Sequence, residues 1–212
     1  MMRTFVSRSL PAGCVFSLAM TFVVASIAAE PDKTTWSFDK VEVGATPSGF
    51  EEEVGSWKVR ESHGKKVLAQ LAKNSDPTFN VVLIDKPVAR DFSLAVKLKS
   101  IDGELDRGGG LVWRAKDARN YYIARYNPLE NNFRLYKVVK GKRTMLRNAD
   151  VPFAEGFRTL RVTMNGDYIQ CRLDGKFLLE VSDSTFPGEG RIGLWTKADA
   201  RTEFDGLTLE TR

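Results

Sequence analysis

The chain has 212 residues, with 32 basic side chains, 27 acidic ones and one histidine, for a formal charge of +5. So mild a charge argues against nucleic acid as a partner, which calls for a strongly basic face. The first 29 residues read as a secretory leader. Arg3 and Arg8 precede an apolar run from Val15 to Ile27, and the run ends in Ser26-Ile27-Ala28-Ala29 before Glu30-Pro31. That run falls short of the ~20 residues a membrane span needs, so no stable span is expected after cleavage. Residues 30–212 are then one exported domain, periplasmic or extracellular, large enough to bury roughly 70% of its unfolded surface. Only Cys171 follows the leader, so no internal disulfide is expected.

Residues 30–50, with Pro31, Gly44, Pro47 and Gly49, read as an irregular lead-in with a first strand, tied to the body by Trp36 and Phe38. His63 lies beside Gly64-Lys65-Lys66, where a solvated turn is expected. From residue 56 onward apolar residues recur with period two and not 3.6, which predicts strands with one buried face. Phe92, Leu94, Val96 and Leu98 show the pattern, as do Leu160, Val162 and Met164, and Phe177, Leu179 and Val181. Asn165-Gly166 and Asp174-Gly175 suit tight hairpins, so residues 157–181 should form a three-stranded meander. Lys140-Gly141-Lys142 should turn a hairpin pairing 133–139 with 143–147. About a dozen strands exceed what one open sheet holds. The fold expected is all-β, a two-sheet antiparallel β-sandwich of jelly-roll type.

Gly108-Gly109-Gly110 leads into Leu111-Val112-Trp113, a β-prone run, and no Gly-Lys-Ser/Thr follows. A phosphate loop is therefore not expected, and the glycines should admit a tight bend or a close neighbour. After a turn near Lys116–Asn120 the return strand puts Tyr122, Ala124 and Tyr126 on one face and Tyr121, Ile123 and Arg125 on the other. Aromatic rings beside arginine and asparagine suit a sugar, through stacking on its C–H faces and planar hydrogen bonds to its hydroxyls. They equally suit tyrosines covering a sheet edge while Arg125 pairs with Glu130. Near the end, Ile192 and Leu194 should face the core, turning Gly193, Trp195 and Lys197 away. Cys171 reads as a small core residue. The cluster Lys137, Lys140, Lys142, Arg143 and Arg147 reads as a solvated hairpin edge, or as an attraction for acidic polysaccharide.

The stretch GGGLVWRAKDARNYYIARYNPLENNFRLYKVVKGKR and the closing DSTFPGEGRIGLWTKADARTEFDGLTLE resemble bacterial concanavalin-like, laminin-G-like domains. These are grouped with the 3-keto-disaccharide hydrolase family and loosely related to family 16 glycoside hydrolases. The resemblance covers roughly residues 55–210 and implies two curved sheets, one face of which holds carbohydrate in many relatives. It also implies either a glycosidase or a 3-keto-disaccharide hydrolase, yet the motifs depart. Glu104-Leu105-Asp106 begins a Glu-x-Asp-x-x-Glu pattern, but Gly109 stands where its last glutamate belongs. Arg114 matches the family's arginine, whereas Tyr122 and Ala124 occupy its Glu and Gln positions. An enzyme would have to recruit Asp117 or Glu130.

The relatives leave calcium open, although Asp102, Glu104 and Asp106 lack the EF-hand pattern and read as a solvated acidic loop. One histidine and the lone cysteine cannot build a typical zinc site, so no metal or other cofactor is assigned. The leading expectation is a carbohydrate-binding, lectin-like sandwich without catalysis, with a glycan as partner. Its face is expected at Arg114, Tyr122, Tyr126, Trp195 and Lys197, with Asn127 as a hydroxyl partner. A hydrolase and an adhesion or assembly module binding another exported protein are the alternatives.

Overall fold

A computed structural model describes residues 1, 2, 4 and 32–211. The expected leader otherwise lies outside the described residues. Fifteen strands form two antiparallel sheets, and the described residues contain no helix. In the first sheet, β13 (Lys176–Ser182), β12 (Tyr168–Leu173), β11 (Arg158–Asn165), β6 (Phe92–Asp102), β15 (Arg201–Thr211), β4 (Lys65–Gln70) and β3 (Trp57–Ser62) lie side by side, and β1 (Asp32–Trp36) also pairs β15. In the second, the order is β10 (Lys142–Asp150), β9 (Asn132–Val139), β8 (Asn120–Asn127), β7 (Gly109–Asp117), β14 (Gly190–Lys197), β5 (Phe79–Ala89) and β2 (Phe50–Val54). The expected two-sheet sandwich is the observed one, with more strands because residues 32–70 contribute four short ones, β1 to β4.

Register explains the core. Leu160 faces Val96 and Val162 faces Leu94 across β11 and β6, so matching apolar faces meet and turn inward together. The meander at 158–182 and the hairpin at 132–150 form as the turn dipeptides predict. From the second sheet Tyr122, Ala124, Tyr126, Ile192 and Leu194 enter the same inter-sheet core, where Cys171 is fully buried. Burial alone pushes the Cys171 thiol pKa well up, leaving it inert.

The glycine run does what close packing requires. A Cβ on Gly109 would sit 2.8 Å from the Phe204 ring and from Trp195 O, and one on Gly110 would run into Ala124 O. The strand β7 can therefore lie between β8 and β14 only with glycine at its start.

The second sheet also carries a separate apolar cluster on its outer face. Val81, Leu83, Val112, Tyr121, Ile123, Tyr136, Val138 and Trp195 belong to it. The residues between them in sequence point to the core, as period two demands.

Candidate functional site

The six residues expected to share a binding face divide three ways. Two are fasteners. Arg114 sits at φ +46 within the irregular pairing between Trp113 and Asp117, and it is 1% exposed. Its guanidinium donates to the carbonyls of Arg90 (2.7 and 3.1 Å), Phe186 (2.8 Å) and Gly166 (2.6 Å) and approaches Asp91 at 3.4 Å. Tyr122 lies in the inter-sheet core, stacked on Trp113 and edge-on to Phe186. Its hydroxyl donates to Asp183 Oδ1 (2.6 Å) and accepts from Phe186 N–H (3.2 Å). Burial and the bond to Asp183 push its pKa up to about 12. Neither residue can meet a sugar, because both spend their polar groups on loops that close the sandwich. Tyr126 also turns inward, but its ring borders a cavity at the end of the sandwich, under Arg158 at 4.9 Å.

Asn127, Trp195 and Lys197 come together on the other side of the second sheet, and they bring neighbours. Asn127 is fully buried; its amide donates to Asp106 (2.9 Å), and its carbonyl accepts the backbone N–H groups of Leu129 and Glu130. That fixes the tight turn between β8 and β9 and carries Glu130 back over the sheet. Lys197 reaches Asp106 at 3.6 Å and also pairs with Asp76. Trp195 donates its indole N–H to Tyr121 Oη (3.1 Å) and packs on Phe79 (5.5 Å). Asp106 is thus a buried member of this cluster, not part of a solvated loop. Asp199 shapes that loop by accepting the backbone N–H groups of Glu104, Leu105 and Asp106. Asp102 turns away to pair with Arg201.

The centre of the cluster is Arg125, 1% exposed. Its Nη2 donates to Glu130 (2.9 Å) and lies 3.4 Å from Tyr136 Oη, while Nε and Nη1 are buried without a partner. Glu130 also accepts from Arg134 (2.8 Å) and Asn132 (3.0 Å). Burial opposes its ionisation, but the bonds from Asn132 and Arg125 and both guanidinium charges outweigh that and bring its pKa to about 2. Asp106 moves the other way: burial raises its pKa, and the charges of Arg125 and Lys197 only partly offset the rise. Arg143 lies over the Tyr136 ring at 4.5 Å and near Phe79 and Trp195, with its Nη1 buried and unpartnered.

No protein-family model matches the chain, and no curated protein matches it. Solved structures do. The carbohydrate binding module CBM66 from Bacillus subtilis superposes with a TM-score of 0.67 at 23% identity, over 77% of this chain and 96% of that one. A protein of unknown function with a galectin-like fold, also from Bacillus subtilis, gives 0.59 at 12% identity over 76% and 89%. The apo Crh5 transglycosylase gives 0.59 at 13% identity over 84% of each chain. The chain shares their jelly-roll β-sandwich fold. At these identities the likeness extends to the fold alone, so the chemistry rests on the residues.

Arg134 and Tyr136 were not singled out as a site in the sequence, although a signal was there. Phe133, Leu135 and Val138 are apolar, and Arg134 and Tyr136 alternate with the first two. Once Tyr126 is inward, pairing of Arg125 with Arg134 places this set on Trp195's side. Asp117, one of the two carboxylates open to an enzyme, is taken up by the turn through Arg119 N–H and Asn120. His63 is exposed, as its turn predicts. The basic hairpin cluster is divided, since Lys137 pairs with Asp183 at 2.7 Å and Arg143 joins the aromatic ledge.

Proposed function

We propose that the chain is an exported carbohydrate-binding module whose recognition surface is the outer face of the second sheet, where Glu130, Arg134, Arg143 and Asn148 reach solvent above the buried Arg125, Tyr136 and Trp195. One observation carries this reading. A buried guanidinium with two unpartnered nitrogens stands beside aromatic rings, outside the hydrophobic core. Leaving buried N–H groups unpaired costs about 1–3 kcal/mol each, and the exposed Glu130 and half-exposed Arg134 beside them are the groups that a ligand hydroxyl meets first. Planar groups on Glu130, Arg134 and Asn148 offer further hydroxyl partners, with the Arg134–Asn148 bond at 2.8 Å holding the fork in place. The fold shared with a carbohydrate-binding module agrees with the reading.

A glycan array probed with the full chain tests it. Wild type should bind a defined set of glycans, and Tyr136→Ala with Arg134→Ala should abolish that binding. Binding unchanged in the double variant would reject the face.

A hydrolase is the second reading, favoured by one feature: Asp106 and Glu130 both act on Arg125 and have pKa values moved in opposite directions. A carboxyl pair split in this way suits general acid and base roles. Mass spectrometry of array-positive oligosaccharides after incubation separates the readings. Intact sugar supports binding alone, whereas cleavage lost in Asp106→Asn would make the domain an enzyme.

A further inference from the structure

The end of the sandwich holds a second place with the properties of a binding site, apart from the outer-face cluster. An open cavity of about 480 Å³ lies there, within the range of small-molecule sites. Leu98, Tyr126 and Pro128 give it an apolar lining, and the loop Phe153-Ala154-Glu155-Gly156-Phe157 forms its rim. Phe153 is 59% exposed and Phe157 is 37% exposed. Two phenyl rings from one five-residue loop are thus left in solvent at the mouth of a cavity, where they are available to stack on a ligand.

The polar groups of the lining differ in how far they are already engaged. Arg158 is held by Asp174 and by the Tyr126 ring. Lys99 is half-buried, and its ammonium meets His63 Nε2 (2.8 Å) and the Phe157 ring (6.0 Å). Among the described residues it forms no ion pair. Ser100 Oγ, on the next residue, is buried with no hydrogen-bond partner. Glu155 supplies the one carboxylate of the lining and is exposed. The cavity therefore offers a cation without an ion pair and two stacking faces.

We propose that this cavity binds a single acidic sugar ring of the hexuronate class. Its carboxylate meets Lys99, and its C–H face lies on Phe153 and Phe157. A charged hydrogen bond is about twice as strong as a neutral one, so the carboxylate sets the preference over the matching neutral sugar. The site does not depend on the outer face being a glycan surface.

An NMR titration of the full chain with methyl β-D-glucuronoside, and separately with methyl β-D-glucoside, tests the proposal. The uronoside should shift the amides of Ser100, Phe153 and Phe157 and bind about tenfold more tightly than the glucoside. Lys99→Met should erase that preference, and Phe157→Ala should weaken both sugars. Phe153→Ala, at the most exposed position, gives a second variant that leaves the core untouched. Absence of shifts with the uronoside, a preference that survives Lys99→Met, or shifts confined to β8–β10 would each overturn the assignment. Failure of the outer-face reading would show instead as array binding indifferent to Tyr136 and Arg134.

Discussion

Arg114 and Arg125 lie on neighbouring strands of one sheet, each 1% exposed, and they are buried for opposite purposes. The Arg114 guanidinium meets three backbone carbonyls and Asp91, so its burial closes a hydrogen-bond account between β7 and the loops at Arg90, Gly166 and Phe186. Arg125 has one firm partner, Glu130, and two nitrogens with none. A fully engaged buried cation stabilises a fold. A half-engaged one keeps hydrogen-bonding capacity that the fold itself leaves unused.

The largest effect should come from breaking the first of the pair. Arg114→Met would leave three carbonyls buried without donors and should destabilise the domain by about 4 kcal/mol, read as a fall in thermal midpoint. Glycan affinity measured well below that midpoint should be unchanged. Arg125→Met should cost less, about 2 kcal/mol, because two of its nitrogens make no bond to lose. Glycan binding should nevertheless disappear. Equal stability losses with binding retained in Arg125→Met would dissolve the contrast.

Tyr122→Phe sharpens the comparison from the core side. Losing the hydroxyl removes its bonds with Asp183 and Phe186 N–H and should cost about 1 kcal/mol without affecting glycan binding.

A further effect appears in acid. Burial disfavours the charged forms of Asp183 and Glu130, yet their hydrogen bonds and cation partners hold both near a pKa of about 2, below ordinary values of 3.8 and 4.5. Depressed carboxylate pKa values add stability that is fully present above the unfolded values and is lost as pH falls from there through about 2. Denaturant titrations from pH 6 to pH 2 should show that loss, and Glu130→Gln should remove only part of it, since the Lys137–Asp183 pair remains.

Much of this fold was legible because alternation and turn chemistry are local. The runs at Phe92–Leu98 and Leu160–Met164, with Asn165-Gly166 and Asp174-Gly175 between strands, suffice for a sandwich of paired hairpins. The site was only partly legible. Alternation shows that Tyr122 and Tyr126 share a face, but in a two-sheet protein it does not say which face is the core, and the outer face here is also apolar. The irregular pairing after Trp113 and the positive φ of Arg114 interrupt the alternation that would otherwise assign that arginine a side. The Arg125–Glu130 pair could be read across a tight turn. The burial of Asp106 could not, because Asn127 and Lys197, which receive it, come from distant parts of the chain.

The most direct test of the outer-face account is hydrogen–deuterium exchange of the full chain, with and without an oligosaccharide selected on the array. Protection concentrated in Asn132–Val139 and Lys142–Arg147, with the 158–182 meander unchanged, is the predicted result. Protection in the meander alone, or none at saturating sugar, would contradict the assignment of this face.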